Sequence, residues 1–570
     1  MRNDRAARAL LRHFFFRFFD QELMAAQGDL RQTMIHIVAL LGALNFLVAL
    51  GMTFKQVFRT GELDYAARRA MAWSDQEILI SLTLTAAGLM TVFIWDSLFP
   101  DRRDCLVLAS LPVRMRAVFL ARSAALASAL GVIVVSVNAF TGLVIPVVLL
   151  PPGAGIVDLA GSLLAYWAVM LAAGAFVFLS LIAVQGALVQ LLPHRWFQRA
   201  SGYAQLIAFF AIVSVLFLTP SLANPRALAA AENQALLAAI PSMWFLGLYE
   251  WMRGAREPVF QELAGRAAAG LLLSLVAVVF TYGLGYARHV RNIVEQPEAA
   301  PSRARRSLAM AWAARLLMRR PLERAIFHFI ARTLARSRQH RLLVAIYCGV
   351  GLAYTLSAVS RLMHGRNAGR WFQPTPELLG ASLDFLFFLL VGLRVAMAIP
   401  VELKANWVFR ITERADPRQY LAAVRKAMLA LGAAPVCLVA LPVYGLLWGW
   451  WMALGHGVFA VLVSMVLIEA LTGNFRKIPF ACSYLPGRAN LKVMFGVYWG
   501  LFLFFSSVAA TMEISGLRQP GLFLRQILLL AGALAVLRWR RDSRFHFVFE
   551  ETPEPVVTTL QLDPRLLRGG

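Results

Sequence analysis

Apolar stretches of membrane-crossing length recur along the chain from Thr33 to Leu537, separated by short segments that hold most of its charge. At about 1.5 Å per helical residue, about 20 such residues cross a hydrocarbon layer of about 30 Å. The pattern predicts twelve membrane helices. Six fall in the first half, at 33–54, 78–98, 124–150, 158–191, 203–219 and 264–287. Six fall in the second, at 342–360, 379–400, 427–454, 457–474, 493–512 and 519–537. The segment 158–191 is long for one crossing and is expected to tilt, to bend at Gly174 or Gly186, or to project into water.

The polar positions say which way the helices run. Of the 56 Lys and Arg residues, 42 lie in the segments that face inward if the N-terminus is cytoplasmic; 11 lie in outward loops and three within spans. That is the positive-inside distribution, and it places both termini in the cytoplasm. The formal charge of +25 therefore has a topological cause and needs no nucleic acid. The 54-residue inward segment 288–341 carries 13 basic and 3 acidic residues, which suits a strap on the membrane surface better than a folded enzyme domain. The N-terminal apolar tract Phe14–Phe19 is short, interrupted by Arg17 and followed by no small-residue cleavage site, so the first span is expected to remain as a signal anchor.

The two halves share a plan. Each opens on a basic amphipathic stretch: Leu11, Phe14, Phe15, Phe18, Phe19 and Leu23 form one helical face in the first, and Ile326, Phe329, Ile330 and Leu334 in the second. Such helices are expected to lie in the membrane interface, apolar face in the lipid and arginines toward anionic headgroups, or else to extend the span that follows. The second span of each half ends in a proline, Pro100 or Pro400, before a polar inward segment, and Arg122 and Arg425 recur at nearly the same offset. Six spans per half give a parallel repeat. The expected fold is an all-α polytopic membrane protein of two six-helix halves, each preceded by an amphipathic interfacial helix. The halves are 1–290 and 342–570, joined by the basic linker 291–341. Only the first carries a long outward insertion, 220–263, with Trp244, Tyr249 and Trp251. It is expected to rest on the outer surface or fold back into the membrane, as a gate or as a plain cap.

Chemical motifs are scarce. The dipeptide Gly-Lys is absent, so no Walker phosphate loop exists, and HExxH and GxSxG are absent too. Cys105, Cys348, Cys437 and Cys482 show neither metal-ligand nor disulfide-framework spacing. No catalytic residue, metal site or cofactor is expected in this chain. Four charged residues lie within spans at matching depths, which suggests the pairs Arg394–Glu469 and Asp384–Arg525; separate snorkelling to the nearest interface is the alternative. The main mid-span polar residues are Asn45, Asn138 and Gln185. An ion-coupled carrier and a membrane-embedded lipid-modifying enzyme are functional readings that these residues leave open.

The order of elements resembles a permease half of the type-2 ABC transporter family: amphipathic helix, two spans, polar inward segment, four more spans, outward insertion before the sixth. The segments FPDRRDCLVLASLPVRMRAVFLAR (99–122), ELKANWVFRITE (402–413) and RKIPFACSYLPGRANLK (476–492) are similar to those of large bacterial ABC permease-like proteins. The resemblance implies residence in a bacterial inner membrane, an export function, and two ATPase domains supplied by partner subunits that bring ATP and Mg. It further implies that the inward segments after spans two and eight dock on those ATPases. The first docking surface would comprise Asp101, Arg102, Arg103, Asp104, Arg114 and Arg116, and the second Arg410, Glu413, Arg414 and Asp416. Trp407 would anchor either in the interface or in an ATPase groove. The positive-inside bias accounts for the basic residues by itself, so the acidic ones carry more information. Both halves are fused here, and the second lacks the insertion.

Overall fold

A computed structural model describes residues 8–15, 30–59, 65–98, 115–151, 153–218, 228, 233–283, 314–315, 317–364, 370–399, 417–473, 479–480 and 491–542. The regular structure among them is helical. After a short helix over 8–15 come α1 (Leu30–Phe54), α2 (Tyr65–Phe93), α3 (Met115–Asn138), α4 (Thr141–Val148), α5 (Ile156–Leu191), α6 (His194–Leu218), α7 (Pro241–Met252) and α8 (Pro258–Val278). Then follow α9 (Pro321–Arg336), α10 (Arg338–His364), α11 (Pro376–Ala396), α12 (Pro417–Met428), α13 (Ala434–Trp448), α14 (Trp450–Thr472), α15 (Leu491–Arg518) and α16 (Pro520–Asp542). Among the described residues, eleven helices are long and apolar enough to cross a membrane. They correspond to eleven of the twelve expected spans, and the remaining one, 493–512, falls within helical α15.

The chain forms two compact units that alternate along the sequence. The first is Met1–Ala304 with Ala345–Phe388 and Asn490–Ile514; the second is Arg305–Val344 with Leu389–Ala489 and Ser515–Gly570.

In the first unit α2 is the central helix, with 72% of its apolar window buried; α3, α5, α6 and α7 pack around it. Two of its buried hydroxyls are satisfied within the helix: Thr83 and Thr91 each donate to the carbonyl four residues back, at 2.8 and 2.7 Å. The third expected span, 124–150, is broken, with α3 ending at Asn138 and α4 restarting at Thr141. The backbone N–H groups at the break do not go unpaired. Asn45 Oδ1 on α1 accepts both, from Phe140 at 2.8 Å and Thr141 at 3.1 Å. The long fourth span is one uninterrupted helix of 36 residues. At about 1.5 Å per residue it is roughly 54 Å long, well beyond the hydrocarbon thickness.

The described part of the insertion packs into the core of the first unit. Its helix α7 stacks Trp244 and Phe245 on Phe176, with ring centroids 5.7 and 5.6 Å apart, and Phe176 lies midway along α5. The hairpin partner α8 approaches so closely that a Cβ on Gly247 would lie 2.3 Å from Leu263 Cβ. Pro241 and Pro258 start the two helices at positions where their missing N–H groups are not needed. An aromatic cluster joins α10, α11 and α15 within the same unit, with Phe502 4.6 Å from Phe388 and 5.2 Å from Tyr354.

In the second unit α12 runs through a π-turn, Leu429–Ala433, into α13. The cause is Pro435, which cannot donate to the carbonyl four residues back and would collide with it. The turn into α14 is made by Gly449 alone, at φ +87, and not at residues 455–456. The ninth expected span therefore ends earlier than its apolar run.

The amphipathic stretches differ from expectation. In α9 the apolar stripe Ile326, Phe327, Ile330 and Ala331 is buried, and α9 packs on α12. In the N-terminal helix Phe14 is 2% exposed, packed with Ile94, Leu98 and Val118. Of the expected stripes, Phe14, Ile326 and Ile330 are covered by other helices, Leu11, Phe15, Phe329 and Leu334 are half-buried, and Phe18, Phe19 and Leu23 lie outside the described residues.

Candidate functional site

Two stems are of interest, one in each unit, built from the ends of the helices that flank the polar segments after spans two and eight. In the first unit the chain enters residue 99 from the short turn Trp95–Ser97. Its last carbonyls are held by side chains. The Arg122 guanidinium, one turn into the buried part of α3, donates to Ser97 O, and Tyr282 Oη donates to Leu98 O at 2.7 Å. The Arg122 guanidinium also sits over the Phe14 ring, 5.5 Å from its centroid. That contact ties the N-terminal helix to the same point.

The second unit repeats the device with different residues. His340 Nε2, on α10, lies 3.0 Å from Ile399 O, immediately before Pro400. A carbonyl only accepts, so Nε2 carries the proton and Nδ1 accepts from the Ser337 hydroxyl at 2.6 Å. Phe480 N–H donates to Met397 O at 3.2 Å, and the Phe480 ring packs edge-on against His340 at 5.1 Å. Phe480 is buried and has φ +61, a left-handed conformation costly for an aromatic residue. Packing of its ring offsets that cost.

Around this stem lie the charges. Glu469, near the end of α14, accepts from Arg425 of α12 and from Arg538 of α16, each at 3.1 Å. Arg394 Nε donates to Leu471 O at 2.9 Å, two residues beyond Glu469. Lys426 Nζ reaches Glu323 on α9 at 2.6 Å. Burial alone would raise the Glu323 carboxyl, but the hydrogen bond and charge of Lys426, with the backbone N–H groups of Arg319 and Arg320, hold it below its ordinary 4.5. Thus α12 is tied on one side to α9 and on another to α14.

Among the candidate docking residues, Asp101, Arg102, Arg103, Asp104 and Arg114 lie outside the described residues, as do Trp407, Arg410, Glu413, Arg414 and Asp416. Arg116 falls in the first turn of α3. Arg394 and Glu469 come to the same end of the second unit. Asp384 is buried in the first unit and Arg525 is exposed in the second. Asn45 and Asn138 meet through intermediates: Asn45 donates to Thr141 Oγ1 at 2.9 Å, Tyr166 Oη donates to Asn138 Oδ1 at 2.8 Å and lies 2.9 Å from Thr141 Oγ1, and Asn138 donates to Thr83 Oγ1 at 2.9 Å. Gln185 instead donates to Trp95 O at 2.7 Å. Compared with known proteins, the chain matches no family model, no curated protein and no solved structure.

Several residues of consequence escape sequence reasoning. Arg538 reads as an ordinary inward charge and His340 as an isolated histidine, and Arg425 is marked only by its recurrence with Arg122. Glu77, Glu250 and Glu513 are fully buried in the first unit. Glu77 and Glu513 fall just outside the expected spans, and Glu250 falls in the outward insertion. Two of them carry a signal: Glu250 and Glu513 stand in stretches otherwise free of charge, 241–252 and 493–517, whereas Glu77 follows Asp75 and Gln76.

Proposed function

We propose that this chain is the membrane-spanning permease subunit of an ATP-driven exporter, of the type-2 ABC kind that it resembles. Two separately encoded ATPase domains would dock on the segments after spans two and eight. Their closure on ATP would displace those segments and switch a central path between inward- and outward-facing. The observation that carries this reading is the pair of pinned stems. Arg122 and Tyr282 hold the carbonyls at the start of one segment, and His340 holds the carbonyl at the start of the other. A stem fixed in this way passes a push on the segment into the helices, where a loose hinge would absorb it. In the second unit the same push reaches α9 and α14 through Lys426 and Arg425.

Affinity purification in mild detergent tests the proposal: an ATPase bearing Walker motifs should accompany the chain. Its absence from an otherwise intact preparation sinks the idea. Charge reversal at Asp101 and Asp104 should weaken that association while leaving membrane insertion unchanged.

An ion-coupled carrier is the second reading, favoured by the buried carboxylates Glu77, Glu250, Asp384 and Glu513. It requires uptake or efflux that collapses with the proton or sodium gradient while ATP is held constant.

A further inference from the structure

Helix α9 has a second face that the docking role leaves unused. Opposite its buried stripe, Ala325, His328, Phe329, Arg332, Thr333 and Arg336, with Ser337, line an open groove of about 860 Å³. His328, Arg332 and Arg336 are spaced four residues apart, which sets them in one row about 6 Å from one to the next. Arg332 and Arg336 are exposed, and no carboxylate is among the described residues that line the groove. The acidic residue of this helix, Glu323, is on the buried side and committed to Lys426.

Position gives the groove its meaning. The membrane-crossing stretch of α10 begins at Gln339, three residues beyond Arg336. The row of arginines therefore ends where hydrocarbon gives way to headgroups, at the depth of phospholipid phosphates. Two guanidiniums present paired donors to phosphate oxygens, and the hydroxyls of Thr333 and Ser337 add shorter-range donors. Phe329 supplies an apolar floor suited to a glycerol backbone and the first methylenes of an acyl chain.

We propose that this groove is a binding site for the phosphate headgroup of an anionic phospholipid, held by Arg332 and Arg336. It differs from an interfacial helix with its apolar face in lipid, because that face is already covered by protein. It also does not depend on any transport activity. Where the coupling reading holds as well, the site has a consequence: α9 is clamped to α12 through Glu323 and Lys426, so headgroup occupancy stiffens the helix that follows residues 401–416.

The test is native mass spectrometry of the full-length protein, delipidated in detergent and titrated with phosphatidylglycerol or phosphatidylcholine. The wild-type chain should retain phosphatidylglycerol adducts in preference to phosphatidylcholine. Each of Arg332→Gln and Arg336→Gln should weaken phosphatidylglycerol about fivefold, the equivalent of ~1 kcal/mol per arginine near an anionic surface. Arg256→Gln, an exposed arginine in the first unit, should change nothing. If either glutamine variant fails to fold, Arg332→Lys/Arg336→Lys keeps the charge and should retain a reduced preference for phosphatidylglycerol. Equal retention of both lipids by the wild type would overturn the site. So would displacement of phosphatidylglycerol by excess inorganic phosphate, which would assign the groove to a free anion. Loss of a co-purifying soluble protein from the glutamine variants, with phosphatidylglycerol retained, would make the face a protein-docking surface instead.

Discussion

Asn45 shows how much one side chain can do inside a membrane protein. A carboxamide has both an acceptor and donors, so it caps the two N–H groups freed at the break between α3 and α4 and still reaches Thr141. Tyr166 closes the circuit by meeting Asn138 and Thr141 together. Replacing Tyr166 with Phe leaves those partners short of one hydrogen bond and should cost about 1 kcal/mol, measured as a lower unfolding midpoint in detergent. Glu469 is a harsher case. Its carboxylate is 2% exposed, while the side chains of Arg425 and Arg538 are 19% and 50% exposed. Glu469→Gln strands a shielded guanidinium and should cost about 3–5 kcal/mol. Arg538→Gln removes a half-solvated arm and should stay within about 1 kcal/mol. Similar losses from both variants would contradict this account of the node.

At the scale of elements, close approach and charge decide how helices pair. Gly432 lies in the π-turn, where an added Cβ would come 2.6 Å from Leu390 Cδ2; Gly247 meets Leu263 and the backbone of Phe260 in the same way. Gly432→Ala and Gly247→Ala should each destabilise by about 1–3 kcal/mol through overpacking, with the second the more damaging because backbone cannot yield as a leucine tip can. The α9–α12 pair carries a pH signature. The Glu323 carboxyl is held below its ordinary 4.5, so its pairing with Lys426 stabilises fully above that value and is lost as pH falls through the lower folded value. Without Lys426, burial is no longer offset by its main counterweight, so the carboxyl of the Lys426→Met variant rises, and the difference in unfolding midpoint should shrink as pH falls through that raised value and on down to the lower wild-type one. A difference that stays constant across this range would show that Glu323 is not held down by this partner.

At the scale of the whole molecule, the distribution of basic residues makes a topological prediction. In a chain freed of its four native cysteines, single cysteines placed at either terminus should react with a membrane-impermeant reagent from one side. A cysteine at Ala235, exposed in the insertion, should react from the other. Eleven of the twelve expected spans were legible because twenty apolar residues in a row leave a chain no cheaper arrangement than a helix across lipid. Their ends were less legible. Gly449, not the small gap at 455–456, makes the α13–α14 turn, and sequence alone left open where the insertion packs, while in the structure its α7 reaches Phe176. The stems of the candidate site were half visible: the prolines and the recurring Arg122 and Arg425 marked the places, but Tyr282, His340 and Phe480 come from remote parts of the chain.

By itself the sequence determined that the protein is helical, where its helices of membrane-crossing length fall, and where its polar segments lie, because burial of apolar runs and satisfaction of backbone hydrogen bonds are local requirements. Tertiary structure decided which faces meet. An amphipathic helix has the same stripe whether lipid or protein will cover it, and only the presence of α12 against α9 settled that choice. The same holds for the charges: Arg394 and Glu469 could be placed at one depth from sequence, but Arg425 and Arg538 reach Glu469 only because α12, α14 and α16 come together. Electrostatic partners are fixed by distance in space, which a linear order does not contain.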